Sequence, residues 1–178
     1  MKISDDIDLY DAQQAAARVA ARAEIRDVRL FSSTVDLDSF PSLGSRLKWS
    51  LDTDVAIERE EDDSAFILRS KYTLAIAEAG EAASEADDGS NDDASSSDSS
   101  QEEGRVADLA FEFAALFDLE LRTGDEPVED NELQAFAITT GQFALYPYAR
   151  EYIYDVTGRL GLPPLTVGVL KLPTRRGS

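Results

Sequence analysis

The chain has no cysteine and no histidine, and it has a single methionine and a single tryptophan. Without cysteine there can be no thiol nucleophile, disulfide or thiolate metal site. Without histidine the commonest general base and metal ligand is missing. Carboxylate, serine and lysine chemistry remain open, yet no G-x-S-x-G, G-x-x-x-x-G-K or G-x-G-x-x-G run occurs. The expectation is a protein that is not an enzyme and takes no cofactor and no metal. No apolar run reaches the length of about 18 residues that a membrane span needs, so no membrane insertion is expected. The opening "MKISDDIDLY" puts acid where a leader needs base and then an apolar stretch, which predicts a cytoplasmic protein. Positive charge is scarce, since 17 Lys and Arg face 36 Asp and Glu for a net charge of −19. A surface of that sign repels nucleic acid and anionic lipid. Solubility accounts for most of it, and a basic protein partner is the sharper reading.

What is present is enough for about one domain. Residues 5–23, "DDIDLYDAQQAAARVAARA", read as an alanine-rich helix with acids in its first turn. Leu9, Ala12, Ala16, Val19 and Ala23 give it a thin apolar stripe, suited to docking on a surface rather than founding a core. Four strand-like segments follow. In 46–58, Leu47, Trp49, Leu51, Val55 and Ile57 share a face. In 65–77, Phe66, Leu68, Tyr72, Leu74 and Ile76 lie opposite Arg69 and Lys71. In 108–122, Leu109, Phe111, Phe113, Ala115, Phe117, Leu119 and Leu121 lie opposite Glu112, Asp118 and Glu120. Each pattern predicts a strand with one buried and one wet face. The first segment, 24–38, alternates poorly and leaves its register open. Consecutive strands without crossover helices predict an antiparallel sheet.

Residues 81–104 carry nine acids, no base and no large apolar side chain. Such a stretch cannot bury enough to offset its ordering entropy and reads as a disordered acidic insertion. After a turn at "TGDEPVEDN" a helix begins, capped by Asp130 or Asn131. Pro147 should interrupt it or start a new helix. Beyond that point Ala149, Ile153, Val156 and Leu160 form a packing seam, and Asp155 and Arg159 form an i,i+4 pair. Gly161 ends the helix.

The last third is "LYPYAREYIYDVTGRLGLPPLTVGVL", Leu145 to Leu170, with four tyrosines. Its "YPYAREYI" and the glycine-ended helix leading to "LPPLTVGVL" resemble the signature of the SecB family of export chaperones. The order of elements resembles that family over residues 24–170, and Trp49 matches a family tryptophan near the start of the second strand. The resemblance implies an α+β fold in which a four-stranded antiparallel sheet packs against a long C-terminal helix. Here an extra N-terminal helix precedes it. The organisation would be an N-terminal helix over 1–23 and one SecB-like domain over 24–178, interrupted by the insertion 81–104. It also implies a homotetramer, built as a dimer of dimers, that binds unfolded polypeptide in apolar grooves without ATP. Client-binding residues would be Trp49, Tyr146, Tyr148, Leu162, Pro163 and Leu165. Asp36 and Glu112 match acidic positions of the patch through which typical SecB contacts the SecA motor. Ser32 and Ala110 depart from that patch. Typical members continue into a further helix where this chain reads "KLPTRRGS", and they lack the N-terminal helix and the insertion. These departures resemble the branch that guards the antitoxin of a toxin–antitoxin pair, so the partners implied are unfolded preproteins or an antitoxin.

Blander readings compete for the same residues. Any one tyrosine could be core or subunit packing with a wet hydroxyl. Arg150 and Glu151 point in different directions on a helix and read as ion pairs across a subunit interface rather than as a catalytic pair. Asp125, Glu126, Glu129 and Asp130 lack the spacing of a calcium loop and read as a solvated turn. Two functions are consistent with the whole. One is a holdase for unfolded chains, and the other is an adaptor for one folded partner that uses an acidic sheet face.

Overall fold

The computed structural model describes residues 9–59, 64–79, 104–120 and 126–170. Residues 5–8 of the expected first helix, the acidic insertion apart from Gly104, Leu121, Asp125 and the segment "KLPTRRGS" lie outside the described residues. The elements are α1 (Leu9–Ala20), β1 (Ala23–Leu37), β2 (Leu47–Arg59), β3 (Ala65–Glu78) and β4 (Arg105–Leu119). A helical run follows, made of α2 (Asp130–Phe136), a π turn (Ala137–Gly141) and α3 (Gln142–Arg159). The four strands form one antiparallel sheet in the order β1-β4-β3-β2. The chain gathers into two units. Among the described residues, one holds those up to Ser33, from Thr53 to Tyr72 and from Phe111 to Leu170. The other holds Thr34–Asp52 and Thr73–Ala110.

The first unit is built on the central strands. Phe66, Leu68 and Tyr72 of β3 are fully buried, and Phe111, Phe113, Ala115, Phe117 and Leu119 of β4 are nearly so. This is the face that the alternation predicted. Phe66 stacks on Phe117 at 4.9 Å, and Phe136 meets both rings edge-on at 5.6 and 5.4 Å. Tyr72 stacks on Phe111 at 5.0 Å, and burial pushes its hydroxyl up to about 12, which keeps it a neutral group. β1 explains its own poor pattern. Arg26 pairs with Asp118 at 3.5 Å, and the Phe31 ring lies 4.5 Å from the guanidinium of Arg69. Asp118 and Arg69 both stand on the wet face, so Arg26 and Phe31 reach the same side of the sheet although they are five residues apart. Strict pleating would place them on opposite sides.

α1 docks where its stripe predicts. Ala12, Ala16 and Val19 are buried, and α1 packs against α2 and the π turn. Ala23 belongs to β1 rather than to the helix. The Arg18 Nε donates to Glu132 at 2.7 Å, and Arg22 reaches the Glu126 carbonyl at 2.9 Å. Burial alone would push the Glu132 carboxyl up. The Glu129 amide and Arg18 outweigh it and hold the group below the usual carboxylate range. The N-cap of α2 is Glu129, one residue before the expected cap, and its amide donates to Glu132 at 3.0 Å. Asp130 is not the cap because its carboxylate accepts from Arg59 at 2.8 Å.

The helical run does not break at Pro147, contrary to expectation, because α3 continues through it. Pro147 and Phe143, whose carbonyl loses its partner, both lie on the solvent side, where water can replace the missing donor. The π turn before it ends against the buried face of β3. A Cβ on Gly141 would fall 2.7 Å from Leu68 Cδ2 and 2.9 Å from the Phe136 ring, so only glycine permits the approach. Side chains satisfy carbonyls around the turn: Thr139 donates to Ala135 at 2.6 Å, and Gln142 donates to Ile138.

In the second unit the connection over residues 38–46 must travel from one sheet edge to the other, because β1 and β2 are the outer strands. Three strand spacings are about 14 Å, well within its reach. It is tied to strand ends as it goes. The Asp38 amide donates to the Val106 carbonyl at 2.9 Å, Ser39 Oγ to the Arg105 carbonyl at 2.7 Å, and the Ser42 amide to the Glu78 carboxylate. The Ala79 amide then donates to the Arg46 carbonyl at 2.7 Å. The Ser42 amide, with help from Ser45, holds the Glu78 carboxyl below its ordinary range.

Candidate functional site

The terminal helix ends as glycine chemistry dictates. Gly161 has φ of 77°, its amide donates to the Gly158 carbonyl at 3.1 Å, and the Leu162 amide donates to the Thr157 carbonyl at 3.1 Å. These two bonds are the paired 5→2 and 6→1 bonds of a Schellman motif, with Leu162 buried beneath it. The chain then folds back along α3 as an extended strap over residues 162–170. Three side chains of α3 fix it. Thr157 Oγ1 accepts from the Leu165 amide at 2.9 Å, Arg150 Nε donates to the Val167 carbonyl at 3.0 Å, and the Tyr146 hydroxyl donates to the Gly168 carbonyl at 2.8 Å. Spacings of four and seven put all three on one helix face. Burial pushes the Tyr146 hydroxyl up, so it remains a donor.

The geometry separates the expected site residues into two groups. Tyr146 and Leu162 are buried within the chain and hold the strap in place, whereas Trp49 is 43% exposed and Tyr148 45% exposed. Pro163 is exposed and Leu165 is half-buried. Tyr148 lies 6.1 Å from Phe113, while Tyr152 packs on Phe111 at 4.7 Å and shares a hydrogen bond with Ser33. Val169, at 72%, extends the apolar surface of the strap. The buried side of α3 runs through Leu145, Ala149, Ile153 and Thr157, so the seam turns to Thr157 where Val156 was expected. The Asp155–Arg159 pair is present at 2.9 Å. Trp49 belongs to the second unit, where Phe40 and Leu43 of the 38–46 connection are 87% and 107% exposed.

Sequence reasoning missed several of these roles. Arg150, read as an interface ion pair, donates to a main-chain carbonyl of its own chain. Thr157 gave only a weak signal, a buried β-branched hydroxyl late in a helix. Phe40 and Leu43 sit in a loop without periodicity, so nothing distinguished them from core residues.

The expected motor contacts also separate. Asp36 is exposed in the second unit. Glu112 in the first unit is half-buried and bonded to Arg69 at 2.8 Å, and Arg69 also pairs with Glu58 at 2.9 Å. These carboxylates raise the Arg69 pKa further, so the guanidinium stays charged and Glu112 stays paired. Among the described residues no three or more acids converge as a metal site would require, and no helix is long and apolar enough to cross a membrane.

No model of a known protein family matches the chain. Individual proteins do. The SecB-like chaperone Rv1957 of Mycobacterium tuberculosis is 42% identical over 169 residues, covering 94% of this chain and 88% of the relative. The SecB-like chaperone MT2006 of a second strain is 41% identical over the same length. A solved structure of Rv1957 in complex with a ChAD peptide from the Rv1956 HigA1 antitoxin superposes with a TM-score of 0.72 at 39% identity. It covers 91% of this chain and 99% of that one. Identity at this level, over nearly the whole of both chains and with the same fold, establishes that the chain belongs to the SecB-like chaperone family.

Proposed function

We propose that this protein is a holdase that binds unfolded polypeptide, with an antitoxin segment as its principal client, and that it needs no nucleotide. The observation that carries the reading is large apolar side chains left in solvent on a chain of net charge −19. Trp49, Phe40 and Leu43 are exposed in one unit, and Tyr148 and Val169 in the other. Single exposed apolar residues need no explanation, but this many on so acidic a surface mark interaction sites. The relative solved with an antitoxin peptide supports a client of that kind. In this reading Trp49, Tyr148, Pro163 and Leu165 touch the client, while Tyr146 and Leu162 shape the strap. Apolar burial is non-directional, which suits clients of varied sequence, and several shallow pockets on one client add through effective concentration. The working form is a cytoplasmic homotetramer. The adaptor reading has less support, because Arg69 already occupies Glu112 and Glu58 of the sheet face it would use.

The test is suppression of aggregation of thermally unfolded luciferase, alongside binding of an antitoxin-derived peptide. A holdase protects luciferase near stoichiometric ratios with or without ATP. A protein that binds one folded partner and leaves luciferase to aggregate would refute the proposal.

A further inference from the structure

The geometry points to Thr157 and Arg150 as positioning residues that set client affinity without touching the client, by locking the strap over residues 162–170 in its extended form. The inference rests on the holdase reading and assigns it a control point. Between the Schellman turn and Leu170 the strap forms no helix or strand of its own, so its shape depends on what holds it. Two α3 side chains besides Tyr146 do so, each through a single main-chain atom: Thr157 Oγ1 takes the Leu165 amide and Arg150 Nε takes the Val167 carbonyl.

Thr157 is fully buried and already donates its hydroxyl hydrogen to the Ile153 carbonyl at 2.8 Å. Its oxygen lone pairs are therefore free to accept, and the Leu165 amide supplies the donor. The hydroxyl thus ties the strap to the helix interior through one oxygen. Leu165 is the first half-buried apolar side chain after the Pro163-Pro164 pair, and its orientation follows from where its amide is held. Prolines before it and a buried acceptor at it leave the strap little freedom, so a client meets a wall already in the bound shape. Preorganisation of this kind raises affinity by lowering the ordering cost of binding.

The experiment compares Thr157→Val, which keeps size and β-branching but loses the acceptor, with Thr157→Ser, which keeps the oxygen. Arg150→Met, which keeps the stem and loses the donor, is the independent second variant. The probe is reduced, carboxymethylated lactalbumin, which stays unfolded. Affinity is measured by titration and strap order by hydrogen exchange at Leu165. The expected result is about tenfold weaker binding for Thr157→Val, faster exchange at the Leu165 amide, and unchanged far-ultraviolet circular dichroism. Thr157→Ser should return to within about threefold of the starting affinity, and Arg150→Met should weaken binding in the same direction. Wild-type affinity in Thr157→Val and Arg150→Met, or equal losses in Thr157→Val and Thr157→Ser, would overturn the positioning role while leaving the holdase reading intact. Failure of the unmodified protein to bind the probe would overturn both. If Thr157→Val does not fold, Arg150→Met alone decides, through its affinity and its exchange at the Leu165 amide.

Discussion

Replacing Gly141 by alanine should destabilise this protein, although the same change in a helix ordinarily stabilises. In a helix interior, alanine is favoured over glycine by about 1 kcal/mol. At Gly141 the new methyl would sit 2.7 Å from Leu68 Cδ2 and 2.9 Å from the Phe136 ring. Comfortable carbon contacts begin near 3.5 Å, so the shortfall is roughly 0.6–0.8 Å on two sides. Neither neighbour can yield cheaply. Leu68 is fully buried, and Phe136 is locked edge-on against Phe66 and Phe117. Overpacking at such a site costs typically about 1–3 kcal/mol, and two simultaneous close contacts place it at the upper end. After the helix-propensity gain the net loss is about 2 kcal/mol, or a fall in Tm of roughly 4–8 °C for a domain of this size. Gly158→Ala is the internal control. Its Cβ would meet only Pro164 Cγ, at an ordinary 3.6 Å, and the site is exposed. That variant should hold its Tm or gain a few degrees. Thermal melts at one fixed protomer concentration, with calorimetric and van't Hoff enthalpies compared, measure both changes. A rise in Tm for Gly141→Ala, or equal shifts in the two variants, would show that the helical run does not approach β3 as closely as described.

Three further outcomes are expected. Leu165→Asp and Trp49→Ala should each weaken binding of an unfolded client about tenfold, or 1.4 kcal/mol, with secondary structure and assembly mass intact. Loss of affinity only in variants that also unfold would make both residues scaffold. Where the sheet face contacts a SecA-type motor, as the family resemblance implies, Arg69→Met should release Glu112 and Glu58 and strengthen that contact up to about fivefold at low salt, since a part-exposed pair is worth at most about 1 kcal/mol. Glu112→Lys should abolish that binding, and indifference to both changes would place the contact elsewhere. Acid should loosen the docking of α1. The folded-state pKa of Glu132 lies below its unfolded value, so its contribution is present above the unfolded pKa and is lost as pH falls through the folded one. Glu132→Gln should flatten the acid limb of a stability–pH curve, and an unchanged limb would contradict the assignment.

How much of this was legible beforehand follows the range of the interactions involved. The faces of β3 and β4 were readable because pleating has a period of two and burial acts on each residue separately, so Phe66, Leu68, Phe111 and Phe117 declared themselves. Gly161 and the Asp155–Arg159 pair were likewise readable, since both depend on neighbours within one turn. β1 was not readable, because it is an outer strand whose side chains are mostly exposed, so burial imposed no alternation on its residues. The order β1-β4-β3-β2 was also invisible, and with it the reason that residues 38–46 present Phe40 and Leu43 to solvent. The missing histidine and cysteine turned the expectation toward binding, and the "YPYAREYI" segment pointed to a family. Only the tertiary structure divided that segment into roles. Tyr146 and Tyr148 are two residues apart and chemically identical. One turns its hydroxyl to Gly168 beneath the strap and the other keeps its ring in water, because a helix rotates about 200° between them and only the placement of the sheet and strap decides which side is inside.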